Sequence, residues 1–181
     1  LTVEGTGYGV RAGQSSGAVN ETAKLTISDS NLTALYPVWL RGDAPGTVVI
    51  TNSTLEPTED GERIKNDAGV NVLEDPTVYN KGLEMYYMTI QDAIDAAEEG
   101  DNHIEVYPGD YGTDSIEIIQ REGVNITLEA VGEVVLKNQI IIDGEARAAG
   151  TESLTIKGFT FDFTDAIGAV DIISTTNANS L

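Results

Sequence analysis

The sequence predicts a mainly β fold, a parallel β-solenoid with one short capping α-helix near residues 89–99, and three observations carry that prediction. Apolar strand phrases recur at spacings of 22 to 24 residues, which is the length of one solenoid coil. Gly, Ser, Asn and Asp punctuate those phrases as turn residues do. Only one segment carries a helical period.

At 181 residues and 40% hydrophobic content, the chain has the material for one substantial core or two smaller ones. Its 30 acidic and 10 basic residues give a net charge of −20, so the surface repels nucleic acid and anionic membranes, and neither is an expected partner. No apolar run reaches membrane-spanning length and no signal-peptide pattern is present. Zero Cys excludes disulfides, thiolate metal sites and cysteine catalysis. The chain opens on Leu1 rather than Met, and the reading is a processed form or a segment.

Residues 1–84 read as strands joined by turns. Leu25–Leu32 echoes Val48–Leu55 and sets Ile27 against Ile50 and Leu32 against Leu55 at a spacing of 23. A second echo sets Tyr8-Gly9-Val10-Arg11-Ala12 against Tyr36-Pro37-Val38-Trp39-Leu40. The apolar pattern thins between Glu56 and Lys81, although Val70, Val72 and Leu73 suit a further strand. A soft boundary is placed at 80–88, giving a β-solenoid-like segment over 1–84 and a β-helix over 85–181. Met85–Met88 reads as a strand or an apolar lead-in to the helix.

Ile90, Ala93, Ile94 and Ala97 fall at i, i+3, i+4 and i+7 and form one apolar helix face. Thr89 is positioned as N-cap toward the Asp92 amide, and Gly100 is the expected stop. Ile104 and Val106 then alternate with Glu105 and Tyr107 before Pro108-Gly109 breaks the strand. The phrase formed by Thr89–Ala97, Gly100-Asp101 and Pro108-Gly109-Asp110-Tyr111 resembles the opening of pectin-lyase-like right-handed parallel β-helices, including pectin esterases. That resemblance implies a right-handed coil. It names no chemistry, because esterases, lyases and noncatalytic bacterial surface proteins share the phrase.

Later rungs follow. Ile104 and Val106 are matched with Ile126 and Leu128 at 22 residues, then with Leu154 and Ile156, while Ile116 and Ile118 match Ile140 and Ile142 at 24. Phe159, Phe161 and Phe163 alternate as an inner face would. A solenoid exposes unpaired backbone at its ends, and the helix is the expected lid for the second segment. The strand-like opening at Leu1 and the polar close after Ile172-Ile173 lead to an expectation of a longer parent protein or end-to-end self-association.

Chemistry-bearing residues are sparse. His103 is the only histidine and is read as a structural polar loop residue, so no catalytic residue is assigned. Asp143, Glu145, Asp162 and Asp165, with Asp171 beyond them, are the acids that neighbouring coils would bring together. They are the candidate metal ligands, and calcium is the candidate cofactor because hard cations take several oxygens. Trp39, Tyr107 and Tyr111 are candidate carbohydrate contacts, since sugar rings stack on aromatic faces. Arg41-Gly42-Asp43 spells the integrin-recognition tripeptide and is a receptor-binding candidate in a turn. Asparagine sequons stand at Asn20, Asn31, Asn52 and Asn125.

The surface composition resembles that of repeated modules in large bacterial cell-surface proteins. The expected function is a noncatalytic extracellular module with an adhesion or carbohydrate-contact role, holding a glycan or host-surface ligand. Two alternatives stand beside it: a polysaccharide lyase or esterase domain acting on acidic glycans, and a structural or filament-forming subunit.

Overall fold

Phrases that echo one another in the sequence lie side by side in the structure, a computed structural model that describes residues 1–58, 60–112, 116–143, 153–164 and 172–176. The chain divides into two compact units, Leu1–Pro76 and Thr77–Leu181.

The first unit winds β1 (Thr2–Glu4), β2 (Tyr8–Ala12) and β3 (Asn20–Ser28) as one coil, then β4 (Asn31–Ala34), β5 (Tyr36–Leu40) and β6 (Pro45–Thr51) as the next. A third coil holds β7 (Thr54–Pro57), β8 (Ile64–Asn66) and β9 (Asn71–Glu74). Corresponding strands pair in parallel as three sheets, β1-β4-β7, β2-β5-β8 and β3-β6-β9. Ile27 pairs with Ile50, Leu32 with Leu55, Tyr8 with Tyr36 and Val10 with Val38, all as the echoes predict. Alternation turns Leu32, Val38, Leu40, Val48, Ile50 and Leu55 inward as a shared core.

One corner repeats with the coil. Asp29, Asn52 and Asp75 all take positive φ, between 45° and 47°, a region that Asn and Asp enter more readily than other side chains. Asn52 donates its side-chain amide to Asp29 Oδ1 at 2.6 Å and its backbone N–H to Asp75 Oδ1 at 2.8 Å. The turn acids here are structural: they tie one coil to the next.

In the second unit, β10 (Val78–Asn80) and β11 (Met85–Tyr87) form an antiparallel pair, and α1 (Ile90–Asp95) follows. Three coils come next: β12 (Gly100–Val106), β13 (Gly109–Tyr111) and β14 (Ile116–Ile119); β15 (Val124–Ala130), β16 (Val134–Leu136) and β17 (Ile140–Asp143); and β18 (Leu154–Lys157), β19 (Thr160–Phe161) and β20 (Ile173–Thr176). Their sheets run β11-β10-β12-β15-β18, β13-β16-β19 and β14-β17-β20. Ile116 pairs with Ile140 and Ile126 with Leu154, as expected. Phe159 and Phe161 pack on the core.

The register between β12 and β15 differs from the expected 22-residue match. Ile104 pairs with Leu128 and Val106 with Ala130, a spacing of 24, so Ile126 lies opposite Asn102. The reason is that a polar side chain occupies an inward position, which matching by apolar residues alone passes over. Asn102 is buried and accepts from the Glu98 N–H at 3.2 Å while donating to the Glu98 carbonyl at 2.7 Å. It also accepts from the amide of Asn80, itself fully buried, at 3.2 Å.

The helix is capped by Thr89 as predicted, with Oγ1 accepting from the Asp92 N–H at 3.0 Å. It ends at Asp95, however, rather than running to Glu99 with Gly100 as its stop. Arg121 donates to the Ile94 and Asp95 carbonyls, and Asn102 takes both backbone groups of Glu98. These bonds replace the helical ladder. Ile90, Ala93, Ile94 and Ala97 are buried in the core, and Gln91 exchanges two side-chain hydrogen bonds with the backbone of Glu117 on β14. An amide thus does for part of that strand edge what a neighbouring strand would do.

Candidate functional site

Outward positions of β2, β5 and β8 hold the densest aromatic grouping of the first unit. The parallel register sets Tyr8 beside Tyr36 and Arg11 beside Trp39, with Lys65 on the other side of Trp39. The ring centroids of Tyr8 and Tyr36 lie 5.8 and 5.6 Å from that of Trp39, within the range of favourable aromatic pairing. Asp67 accepts the indole N–H at 2.7 Å and fixes the ring.

Three cations lie on these rings. Arg11 stands 5.5 Å from the Tyr8 centroid, Arg41 stands 4.5 Å from that of Trp39, and Lys65 stands 4.4 Å from that of Tyr36 and 5.2 Å from that of Trp39. All are within cation–π reach. By contrast, Arg63, Lys81, Lys137 and Lys157 each pair with a carboxylate. Among the described residues, Arg11, Arg41 and Lys65 make no ion pair. In a chain with three times as many acids as bases, three cations without an ion pair are gathered on one surface.

The Arg41-Gly42-Asp43 turn is folded into this region. The Arg41 guanidinium rests on Trp39, and Asp43 accepts the Gln14 N–H. A Cβ on Gly42 would stand 2.5 Å from the Gln14 carbonyl, so the turn is packed against its neighbour. Both charged ends of the tripeptide are therefore engaged within the unit.

A second grouping occupies the outer face of β10, β12, β15 and β18. His103, expected in a loop, lies on strand β12 and faces outward, because Asn102, Ile104 and Val106 take the inward positions. Its Nε2 is 2.6 Å from Glu129 Oε2, while Lys157 reaches Glu129 Oε1 at 3.0 Å and Lys81 reaches Glu105 at 2.6 Å. Ligand atoms of His103, Glu105 and Glu129 lie within 4.8 Å of one another. The Lys157 bond, and then that from His103, holds the Glu129 carboxyl below the usual carboxylate range. The Glu105 bond raises the Lys81 ammonium above its ordinary value. The network is largely neutralised by its own members.

Tyr107, a sequence candidate, adjoins Tyr86, whose ring lies 4.6 Å from Tyr79. Burial raises the Tyr107 phenol first, before the charges around it. Tyr111 is half-buried and donates to the Tyr107 carbonyl at 2.7 Å. Its ring also lines a groove of about 220 Å³ beside Met88, Gln91, Leu136 and Asn138. Trp39 lies in one unit and Tyr107 and Tyr111 in the other.

Of the candidate metal ligands, Glu145 and Asp165 lie outside the described residues, as does Asp171. Asp143 ends β17, and Asp162 follows β19 and is held by the Thr164 hydroxyl and N–H, which lower its carboxyl. Neither joins a cluster of ligating side chains among the described residues. Sequence reasoning did not find the Arg11, Lys65 and Tyr8 partners of Trp39, nor the Glu129 partner of His103. The Tyr8–Tyr36 echo carried the signal for Tyr8 and Arg11, since residues sharing a register position on adjacent coils are neighbours.

Among the described residues no helix is long and apolar enough to cross a membrane. No protein-family profile, curated protein or solved structure matches this chain.

Proposed function

We propose that this chain is a noncatalytic extracellular or cell-surface module of the pectin-lyase-like kind, part of a larger surface protein, whose role is contact with carbohydrate. The observation that carries the reading is the Tyr8–Tyr36–Trp39 surface with its three cations. Aromatic rings supply flat apolar area for the C–H faces of a sugar, and cations supply donors for its oxygens. The stacked strands beneath hold those groups in fixed register, so little ordering entropy is lost on contact.

A second reading, an acidic-glycan lyase or esterase, draws on one observation. Glu105 and Glu129 converge beside Lys81, Lys157 and His103 on a sheet face. Acid–base work needs two carboxylates in different states, but here each is already matched by a cation. Binding is therefore favoured over turnover.

The test is incubation of the purified protein, with and without calcium, against a panel of plant and mucin polysaccharides. Binding is read by calorimetry and products by mass spectrometry. Saturable binding with intact sugar is the expected result; cleaved or de-esterified product overturns the noncatalytic reading and directs mutation to Glu105 and Glu129.

A further inference from the structure

We infer that the Trp39 surface recognises an acidic sugar, one bearing carboxylate or sulfate, through Arg11, Arg41 and Lys65 directly and without a bridging metal. The inference rests on the carbohydrate-contact reading above and names its ligand class. The first step is charge. Three of the chain's 10 basic residues lie on this one patch, and among the described residues none is matched by a carboxylate, although 30 acids are present. Two acids adjoin the patch: Asp67 is committed to the Trp39 indole N–H at 2.7 Å, and Asp43, in the turn after Arg41, accepts the Gln14 N–H.

Geometry supplies the second step. Each cation rests against an aromatic ring, with Arg41 4.5 Å and Lys65 5.2 Å from the Trp39 centroid. A neutral sugar stacking on the faces they cover would have to displace them. An anion instead bridges cations where they already stand, and the rings hold the long side chains in place before the ligand arrives. Arg11 and Arg41 offer planar forks that suit carboxylate or sulfate in a bidentate mode, while Lys65 adds a point charge. Tyr8 is the most exposed ring of the three at 47%, so its uncovered area, beside Arg11, is what a sugar ring meets.

The arrangement also has a long-range consequence. A net charge of −20 repels a polyanion at a distance, so approach is expected to be slow at low salt and the short-range contacts must carry the affinity. A short acidic oligosaccharide is the appropriate ligand, not a long polyelectrolyte.

The test measures binding, by calorimetry in EDTA, of three oligosaccharides of equal length: a uronate, its carboxyl-reduced neutral counterpart, and a sulfated neutral sugar. The expected result is binding of one or both acidic sugars with the neutral one at least about tenfold weaker, the size of one lost charge-assisted contact. Which acidic sugar binds tells carboxylate from sulfate recognition. Lys65→Gln and Arg41→Gln should each weaken acidic-sugar binding about tenfold, while Lys137→Gln in the other unit leaves it unchanged. Thermal melts check that each variant is folded. Equal affinity for neutral and acidic sugars overturns this inference and leaves the carbohydrate module standing. Acidic-sugar binding that survives both substitutions overturns the site. Absence of binding to all three, and to the wider polysaccharide panel, overturns the inference and the carbohydrate reading together.

Discussion

Glu129 meets Lys157 on one carboxylate oxygen and His103 on the other, and this double contact is a titration device at the scale of a single residue. Its carboxyl titrates below the ordinary range, chiefly through the Lys157 hydrogen bond. A carboxylate with a depressed folded-state pKa contributes stability above its unfolded value of about 4.3, and that contribution is lost as pH falls through the folded value. The difference in unfolding free energy between the native protein and Glu129→Gln should therefore shrink on acidification below about pH 4.3. A difference that grows on acidification would refute the assignment. Asn102 acts differently, because its bonds are buried. Asn102→Ala strands Asn80 and both backbone groups of Glu98, and should cost about 3 kcal/mol or more in chemical denaturation. A loss below about 1 kcal/mol would show that water replaces the amide without penalty.

At the scale of elements, α1 combines two roles that are often separate. Its apolar face enters the core of the second unit, while Gln91 completes part of the edge of β14 by donating to and accepting from Glu117. Removing that amide should leave the core face intact and open the edge. Gln91→Ala is expected to lower stability by about 1–2 kcal/mol, two ordinary hydrogen bonds. It should also speed hydrogen exchange at the Glu117 amide, and unchanged protection there would mean that the helix caps the unit by burial alone. Much of this element was legible in the residues: the i, i+3, i+4, i+7 pattern located the buried face, and Thr89 located the start. Its end was not legible. Arg121 and Asn102, which take over the terminal backbone groups, lie far along the chain or on the next strand, and no local rule anticipates them.

For the whole molecule the governing quantity is charge. With −20 distributed over 181 residues, the folded chain repels itself, and salt relieves that repulsion. Raising ionic strength from about 0.01 to about 0.15 M shortens the screening length from about 30 to about 8 Å, so the melting temperature should rise. The ion pairs are partly exposed and individually weak, so their loss to screening is expected to be the smaller term. A melting temperature that stays flat or falls with salt would mean that local pairs outweigh the net charge. The same screening relieves the long-range repulsion of an acidic sugar and weakens its short-range contacts, so salt is expected to speed both its association with the Trp39 surface and its release.

The sequence by itself determined the parallel coiling, most of the strand register and the presence of one capped helix. These depend on short-range periodicity and on like residues stacking from coil to coil, and both are written in the order of residues. The Ile27–Ile50, Leu32–Leu55 and Tyr8–Tyr36 pairs are the clearest instances. Only the tertiary structure decided the β12–β15 register, where Asn102 occupies an inward position and its bonds to Asn80 and Glu98 offset burial. Only it moved His103 from an expected loop to an outward strand position beside Glu129, and gathered Arg11, Arg41 and Lys65 onto aromatic rings. The reason is common to all three. Polar and charged side chains are specified by partners brought near through coiling, and their own spacing along the chain carries no period that names those partners.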